Sequence, residues 1–413
     1  MELNSEQLAR IRRARELFDP RSPVSDAELL AGRTAQTSRL IEAIEDPGAH
    51  TIVYGDRGVG KTSIACCVPS ILEAVSNGSK VIMPRVNCHQ TDDFDYLWRK
   101  VFWRIKSPDA AFPGFRQADK TVGETVSMND RLTPFAVQQE LEKLGSDAIV
   151  APVLDEFDRL QQDEAKSLIA DLMKNLSDDR SSHVTIVVVG VAESVIDLIG
   201  HHGSLGRHLI EIRIPRLAFA ELGQIVVKRL PLLGMNIEPG ALGVIAVLSR
   251  GLPYYVHLLA RSAAVHALGI GSDMIKMDML AGIMNAAITD SQTELAQSYY
   301  DATKSPRKDA LHAKILAACA LADCDEFGYF RPGDIKKPLE QILGKTFQAA
   351  LYNGHLAEFA SDERGKILER TGEARKRRYR FADPMIQPFV LMKSYSQNIV
   401  TLDQVAGRDA SAT

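Results

Sequence analysis

The chain has 413 residues, 45% hydrophobic and 25% charged, which are ordinary values for a globular protein with room for two or three domains. Its net charge of −4 argues against general coating of nucleic acid, and no stretch approaches the roughly eighteen consecutive apolar residues of a membrane span. The start, Met1 to Glu6, shows no secretory pattern. The scattered cysteines Cys66, Cys67, Cys88, Cys319 and Cys324 lack paired zinc-ligand spacing, so a reduced, cytoplasmic chain is expected.

Residues 5–18 read as a basic amphipathic helix, with Leu8, Ile11, Leu17 and Phe18 on one side and Arg10, Arg12, Arg13 and Arg15 elsewhere. A linker with Pro20 and Pro23 leads to a helix carrying Leu40, Ile41 and Ile44 on one face. Asp46-Pro47-Gly48 then releases a first strand, His50 to Tyr54. Directly after it stands Gly55-Asp56-Arg57-Gly58-Val59-Gly60-Lys61-Thr62, a complete G-x-x-x-x-G-K-[ST] phosphate loop in its strand–loop–helix context. Gly55, Gly58 and Gly60 let successive amides point at phosphate oxygens, and the helix continuing from Ser63 adds the positive end of its dipole. Lys61 is expected to reach the β- and γ-phosphates, and the Thr62 hydroxyl to hold Mg2+. The pattern predicts binding of a nucleoside triphosphate.

Lys80 to Val86 reads as a second strand. A helix around Tyr96–Ile105 follows, with Trp98 and Trp103 expected in the core, then a Gly/Pro-containing loop over Ser107–Thr125. Thr133-Pro134 opens a helix running to about Leu144. Ala148–Leu154 and Val184–Val189 are strongly apolar strands, and Leu209–Ile214 is a fifth; such alternation with helices predicts a parallel α/β sandwich. Leu154-Asp155-Glu156 ends an apolar strand in two acids, the Walker B arrangement. Asp155 is expected to hold Mg2+ through its water shell and Glu156 to polarise an attacking water, which favours hydrolysis over transfer to a metabolite. Solvated acids at a strand end are the plainer alternative. Asp158 either belongs to this group or caps the next helix. His201 and His202 read as solvated loop rather than metal ligands.

After Pro215 only helices are expected: Ala218–Arg229, Gly240–Ser249, Pro253–Ala267 and Met277–Ala287. Farther on come helices at His312–Leu321, Pro332–Leu343 and Thr346–Phe359, then a hairpin of Gly365–Arg370 and Arg377–Phe381. In its second strand Tyr379 and Phe381 should face inward and Arg378 and Arg380 outward. Arg375, Lys376, Arg377, Arg378 and Arg380 form the densest basic run. From Lys304 to Asn398 there are 17 Lys and Arg against 12 Asp and Glu, so any polyanion-facing part belongs there.

The two nucleotide motifs together resemble an AAA+ or STAND-type ATPase, especially the branch of origin-recognition initiators, over residues 16–395. Leu17 to Val24 with Ala31-Gly32-Arg33 is similar to that family's adenine-flanking linker. Gly251-Leu252-Pro253 resembles its lid element, in which Pro253 would pack near the nucleotide. The resemblance implies an N-terminal helix and linker (1–32), a P-loop core (33–217), a helical lid (218–302), a winged helix (303–398) and a flexible tail (399–413). It implies a γ-phosphate sensor at Glu193 or Ser194, although the usual Asn is absent. It also implies an arginine finger at Arg207, after Gly203-Ser204-Leu205-Gly206, unless that side chain is a surface arginine. Tyr254, Tyr255 or His257 replaces the usual lid arginine, a departure that favours a switch over a fast engine. A winged helix would contact duplex DNA through its third helix and basic wing, or else bind protein. The expectation is thus an ATP- and Mg2+-dependent hydrolase that switches self-association, or contact with a protein partner, and DNA engagement, with no membrane role. A low-turnover signalling scaffold for a protein effector is the alternative.

Overall fold

Apolar strands alternating with amphipathic helices assemble a parallel sheet, and the later helical stretches pack on one another. In the computed structural model the described residues are 4–406 except 77, 107–130, 179–182, 193, 200–206, 307–309, 326, 347–348 and 374–375. The expected loop Ser107–Thr125, Glu193, His201, His202, Gly203 to Gly206, Arg375 and the tail beyond residue 406 therefore lie outside the described residues. The chain forms two compact units. A sheet unit comprises Pro23–Asp56 and Gly60–Pro215; a helical unit comprises Met1–Ser22, Arg57–Val59 and Arg216–Thr413.

The sheet unit contains β1 (His50–Gly55), β2 (Lys80–Ile82), β3 (Arg85–Asn87), β4 (Ala148–Val150), β5 (Val153–Asp155), β6 (Val187–Val191) and β7 (Leu209–Arg213). Five of them pair in parallel in the order β3-β5-β6-β1-β7, and β2 pairs separately with β4. The continuous strands expected over 80–86 and 148–154 are each broken, at Met83-Pro84 and Ala151-Pro152. Proline has no amide to give to a ladder, so regular pairing lapses there. The chains nevertheless stay alongside: Ala151 N donates to Ile82 O at 2.8 Å, Val153 N to Pro84 O at 2.8 Å, and Val187 N to Pro152 O at 2.9 Å. Val184 pairs with Val150 in an isolated bridge outside the named strands, so β6 starts later than its apolar run.

Helices Lys61–Val75, Phe94–Lys106, Pro134–Gly145 and Asp163–Asp178 accompany the sheet. Ile52, Leu154 and Val188 share a core with Leu97, Trp98, Val101, Ile169 and Met173. Trp98 is fully buried, but Trp103 is 62% exposed, against the expectation for it. Five residues advance a helix by about 140° beyond one turn, so the two rings cannot share a face.

His50, at the head of β1, is a polar member of this interior. Its Nδ1 accepts from the Ile186 amide at 3.0 Å, so Nε2 carries the proton and donates to the Met173 carbonyl at 2.7 Å. Burial pushes its pKa down from 6.5 to about 4. The unfolded ring takes up a proton near 6.5 while the folded ring resists it. Stability is therefore fully present above about pH 6.5 and is lost as pH falls toward 4, by roughly 3 kcal/mol in all. Urea unfolding followed through that window is expected to show a steeper acid loss for wild type than for His50→Gln; parallel pH profiles would exclude this origin.

The helical unit opens with Ser5–Leu17, closed by an Asn4–Gln7 capping box. Ile11 and Phe18 are buried, whereas Leu8 faces solvent. Arg10 from this helix donates to Leu233 O at 2.9 Å and pairs with Asp273 at 2.6 Å. Helices Phe219–Arg229, Pro239–Leu248, Pro253–Gly269, Leu280–Asp290 and Thr293–Thr303 follow. The stretch is not purely helical: β8 (Asn236–Ile237) pairs in parallel with β9 (Met274–Ile275), two elements too short to leave a period in the sequence. Next come His312–Leu321, Lys336–Leu343 and Ala349–Phe359, then the expected antiparallel hairpin of β10 (Leu368–Thr371) and β11 (Arg378–Phe381), with Tyr379 and Phe381 buried. Phe330 and Tyr379 exchange backbone hydrogen bonds of 2.8 and 2.9 Å, adding a third short segment beside the hairpin. Ile386–Ser396 is a further, deeply buried helix. Val400 and Val405 are also buried, and Leu402–Ala406 is helical, so the tail expected to be flexible from 399 is anchored as far as 406 by these two valines. No helix among the described residues is long and apolar enough to cross a membrane.

Candidate functional site

Three strand ends meet along one edge of the parallel sheet. Gly55 closes β1 and stands in register with Val191 at the end of β6, and β5, which ends at Asp155, is the neighbour of β6. The crevice beyond the carboxyl ends of parallel strands is where such sheets bind ligands. Gly55 has φ +149°, and a Cβ there would lie 2.4 Å from the Ile214 carbonyl oxygen, so only glycine lets the chain leave the sheet at this point. Gly60, with φ 92°, caps the helix Lys61–Val75.

Lys61 is only 8% exposed, and its Nζ donates to the carbonyls of Gly55 at 3.0 Å and Asp56 at 2.8 Å. The ammonium is thereby fixed against the backbone of its own loop. Thr62 and Ser63 occupy the first helical turn, and Ser63 Oγ accepts from Val24 N at 3.1 Å, tying the expected adenine-flanking linker to this helix. Arg33, buried, donates to the Pro215 carbonyl at 2.8 Å. Arg57, Gly58 and Val59 group with the helical unit, where Arg57 Nη1 stands 3.5 Å from Asp383 Oδ2 and a Cβ on Gly58 would meet Met385 Sδ at 2.6 Å.

Asp155 is buried, and both of its oxygens are engaged. Oδ1 accepts from the Glu156 amide at 2.8 Å and Oδ2 from Arg85 Nη1 at 2.8 Å. Arg85 was missed in the sequence; a cation between Pro84 and Val86 in an apolar strand was the available signal. Glu156 adopts φ +55°, uncommon for a side chain this long, and its carboxylate pairs with Arg159 at 2.8 Å. Asp158 does not cap the following helix, which begins only at Asp163. Its Oδ1 accepts instead from Val191 N at 2.7 Å, joining the turn after β5 to the end of β6. Gly190 permits this approach, because a Cβ there would sit 3.2 Å from that same oxygen. Thr62 and Asp155 offer a hydroxyl and a carboxylate, the hard oxygen donors that suit Mg2+. Ser194 precedes the helix Val195–Ile199, and Arg207 is exposed on the turn before β7.

The remaining expected residues belong to the helical unit. Pro253 is the first residue of Pro253–Gly269, as suits a side chain lacking an amide. Gly251 before it has φ +80°, and a Cβ there would lie 2.5 Å from Arg216 Cβ. Tyr255 donates its hydroxyl to Met385 O at 2.6 Å; His257 is buried edge-on to Phe18, and burial pushes its pKa down to about 3. Between the two strands of the hairpin, Lys376 is exposed. Arg378 pairs with Asp325 at 2.9 Å and Arg380 with Glu369 at 2.6 Å, and both guanidinium groups stand over the Tyr329 ring, at 4.9 and 5.0 Å. The hairpin therefore meets part of its own charge internally.

Residues 44–198 match the family described as an AAA domain. No curated protein matches the sequence. Among solved structures the chain is similar to the Walker-type ATPase paby2304 of Pyrococcus abyssi, with TM-score 0.53 and 17% identity over 91% of this chain and 99% of that one. It is also similar to the Orc1 protein of Aeropyrum pernix, solved in complex with DNA (TM-score 0.49, 19% identity, 93% and 96% covered). Cdc6p from Pyrobaculum aerophilum is another (0.48, 15%, 92% and 98%). At these identities the likeness concerns the fold alone.

Proposed function

We propose that this chain, whose residues 44–198 match an AAA domain, is an ATP-binding and ATP-hydrolysing switch whose nucleotide state controls assembly and DNA engagement. One observation carries the reading: Lys61 is held at the mouth of its loop, and the buried Asp155 ends a strand on the same sheet edge. Lys61 would turn its ammonium from two carbonyls to the β- and γ-phosphates. Thr62 and Asp155 would hold Mg2+, which when bound supplies charge stabilisation to the phosphates. Glu156 would leave Arg159 to orient a water and take its proton, and Arg207 would serve a neighbouring copy. Gly55, Asp56, Arg57, Gly58, Val59, Gly60 and Ser63 would supply the rest of the loop, and Pro253 would flank the nucleotide.

The three helices, the hairpin and the Phe330–Tyr379 pairing support a winged-helix reading of the C-terminal region. In that reading Arg375, Lys376, Arg377, Arg378 and Arg380 contact DNA phosphates. The pairing of Arg378 and Arg380 with acids favours a second reading, a low-turnover scaffold whose C-terminal region binds a protein effector. Steady-state ATP turnover with and without duplex DNA separates them. The switch predicts stimulation of about tenfold or more that fades as salt rises. Unstimulated turnover with nucleotide retained through purification would replace it by the scaffold, and failure to bind ATP would overturn both.

A further inference from the structure

A second cluster of ligating side chains lies in the helical unit, in residues that the nucleotide reading does not use. His312 begins the helix His312–Leu321, and His355 and Glu358 share one face of Ala349–Phe359 at i, i+3 spacing. His312 Nε2 is 3.1 Å from Glu358 Oε2, His355 Nδ1 is 3.5 Å from the same oxygen, and the three ligand atoms all fall within 4.8 Å of one another. It is the only such group among the described residues. Ligands around a tetrahedral zinc ion, with bonds of about 2.0–2.1 Å, stand roughly 3.4 Å apart, so small rotations of these side chains reach that spacing.

The hydrogen bonding of the cluster is internally at odds. Arg364 Nη2 lies 2.9 Å from His312 Nε2. If that nitrogen accepts from the guanidinium, it cannot also donate to Glu358, and two electron-rich atoms then face each other across 3.1 Å. His355 Nδ1 is buried and in poor alignment for a hydrogen bond with the same carboxylate. With His312 Nε2 as acceptor and His355 Nδ1 unprotonated, lone pairs from three side chains converge on one point, with Arg364 as the adjacent positive charge. Arg364 is itself steadied by donation to the Lys304 carbonyl at 2.6 Å.

We propose that His312, His355 and Glu358 form a binding site for a divalent transition-metal ion of the zinc class, and that the Arg364 guanidinium is the resident competitor for it. Two imidazoles with one carboxylate suit zinc or cobalt and are a poor set for magnesium. Binding would turn Arg364 away from His312 and Glu358, exchanging one cation for another against the same lone pairs.

The test uses the full chain, freed of metal by a chelator and without nucleotide, titrated with ZnCl2 by calorimetry and with CoCl2 by visible absorption. One equivalent is expected, with the strong d–d bands of a tetrahedral cobalt site. His355→Ala and Glu358→Gln should each weaken zinc at least about tenfold, and Arg364→Ala should strengthen it several-fold. His312 borders fully buried residues, so the other two ligands are the safer reporters; thermal unfolding without metal verifies that each variant is folded. Asp155→Asn, at the expected magnesium carboxylate, should leave zinc affinity unchanged. Absence of zinc binding by wild type, or equal affinity in His355→Ala and Glu358→Gln, would overturn the proposal, as would weaker binding in Arg364→Ala.

Discussion

Glu156→Gln is expected to lower ATP turnover by about a hundredfold or more while changing nucleotide affinity less than about threefold. The substitution keeps the size of the side chain and the demand of its left-handed backbone but removes the ability to take a proton. The buried Asp155 keeps its bonds to the Glu156 amide and to Arg85, since neither uses the Glu156 side chain. Measuring phosphate release and, separately, binding of a fluorescent ATP analogue divides the two effects. The competing view is that Glu156 only forms a surface pair with Arg159, where its loss would have little consequence. Turnover equal to that of wild type would establish that view.

Lys61→Ala should act one step earlier, weakening ATP binding by about a hundredfold or more. A charge-assisted hydrogen bond contributes about 1.5–3 kcal/mol, and an ammonium bridging two phosphates makes two of them. Burial has already desolvated Lys61, and its ammonium would exchange the Gly55 and Asp56 carbonyls for phosphate oxygens, so the net gain is smaller than two such bonds taken alone. Equilibrium binding measured by calorimetry checks the figure. An affinity within threefold of wild type would remove Lys61 from the site.

The parts of this architecture written locally were the legible ones. The phosphate loop declares itself in eight consecutive residues, and the apolar strand ending in Asp155 and Glu156 needs only its own neighbours to be read. Thr133 was read as a helix start for the same reason, and its hydroxyl does accept from Ala136 N at 3.3 Å. What failed depended on distance or on angle. Arg85 meets Asp155 only because β3 and β5 are registered Asn87 to Asp155, a relation between segments some seventy residues apart. Trp103 lies on the solvent side because five residues from Trp98 resemble helical spacing only when angular position is ignored. Pro84 and Pro152 break the strands because they lack an amide for the ladder, and apolar neighbours on both sides mask that interruption in the hydrophobic pattern. The alternation of Arg378 and Arg380 with buried aromatics is local to one strand, yet their partners Asp325 and Glu369 come from another loop and the opposite strand.

The bond from Asp158 to the Val191 amide bears on how events at the sheet edge could travel. A short turn and the helix Asp163–Asp178 separate Glu156 from β6 along the chain, but this hydrogen bond joins the turn directly to the strand end. The close approach at Gly190 leaves that junction no slack. The sequence left Asp158 open between the acid pair and a helix cap; what the fold gives it instead is the role of a cross-tie between two strand ends that share no strand pairing of their own at that point.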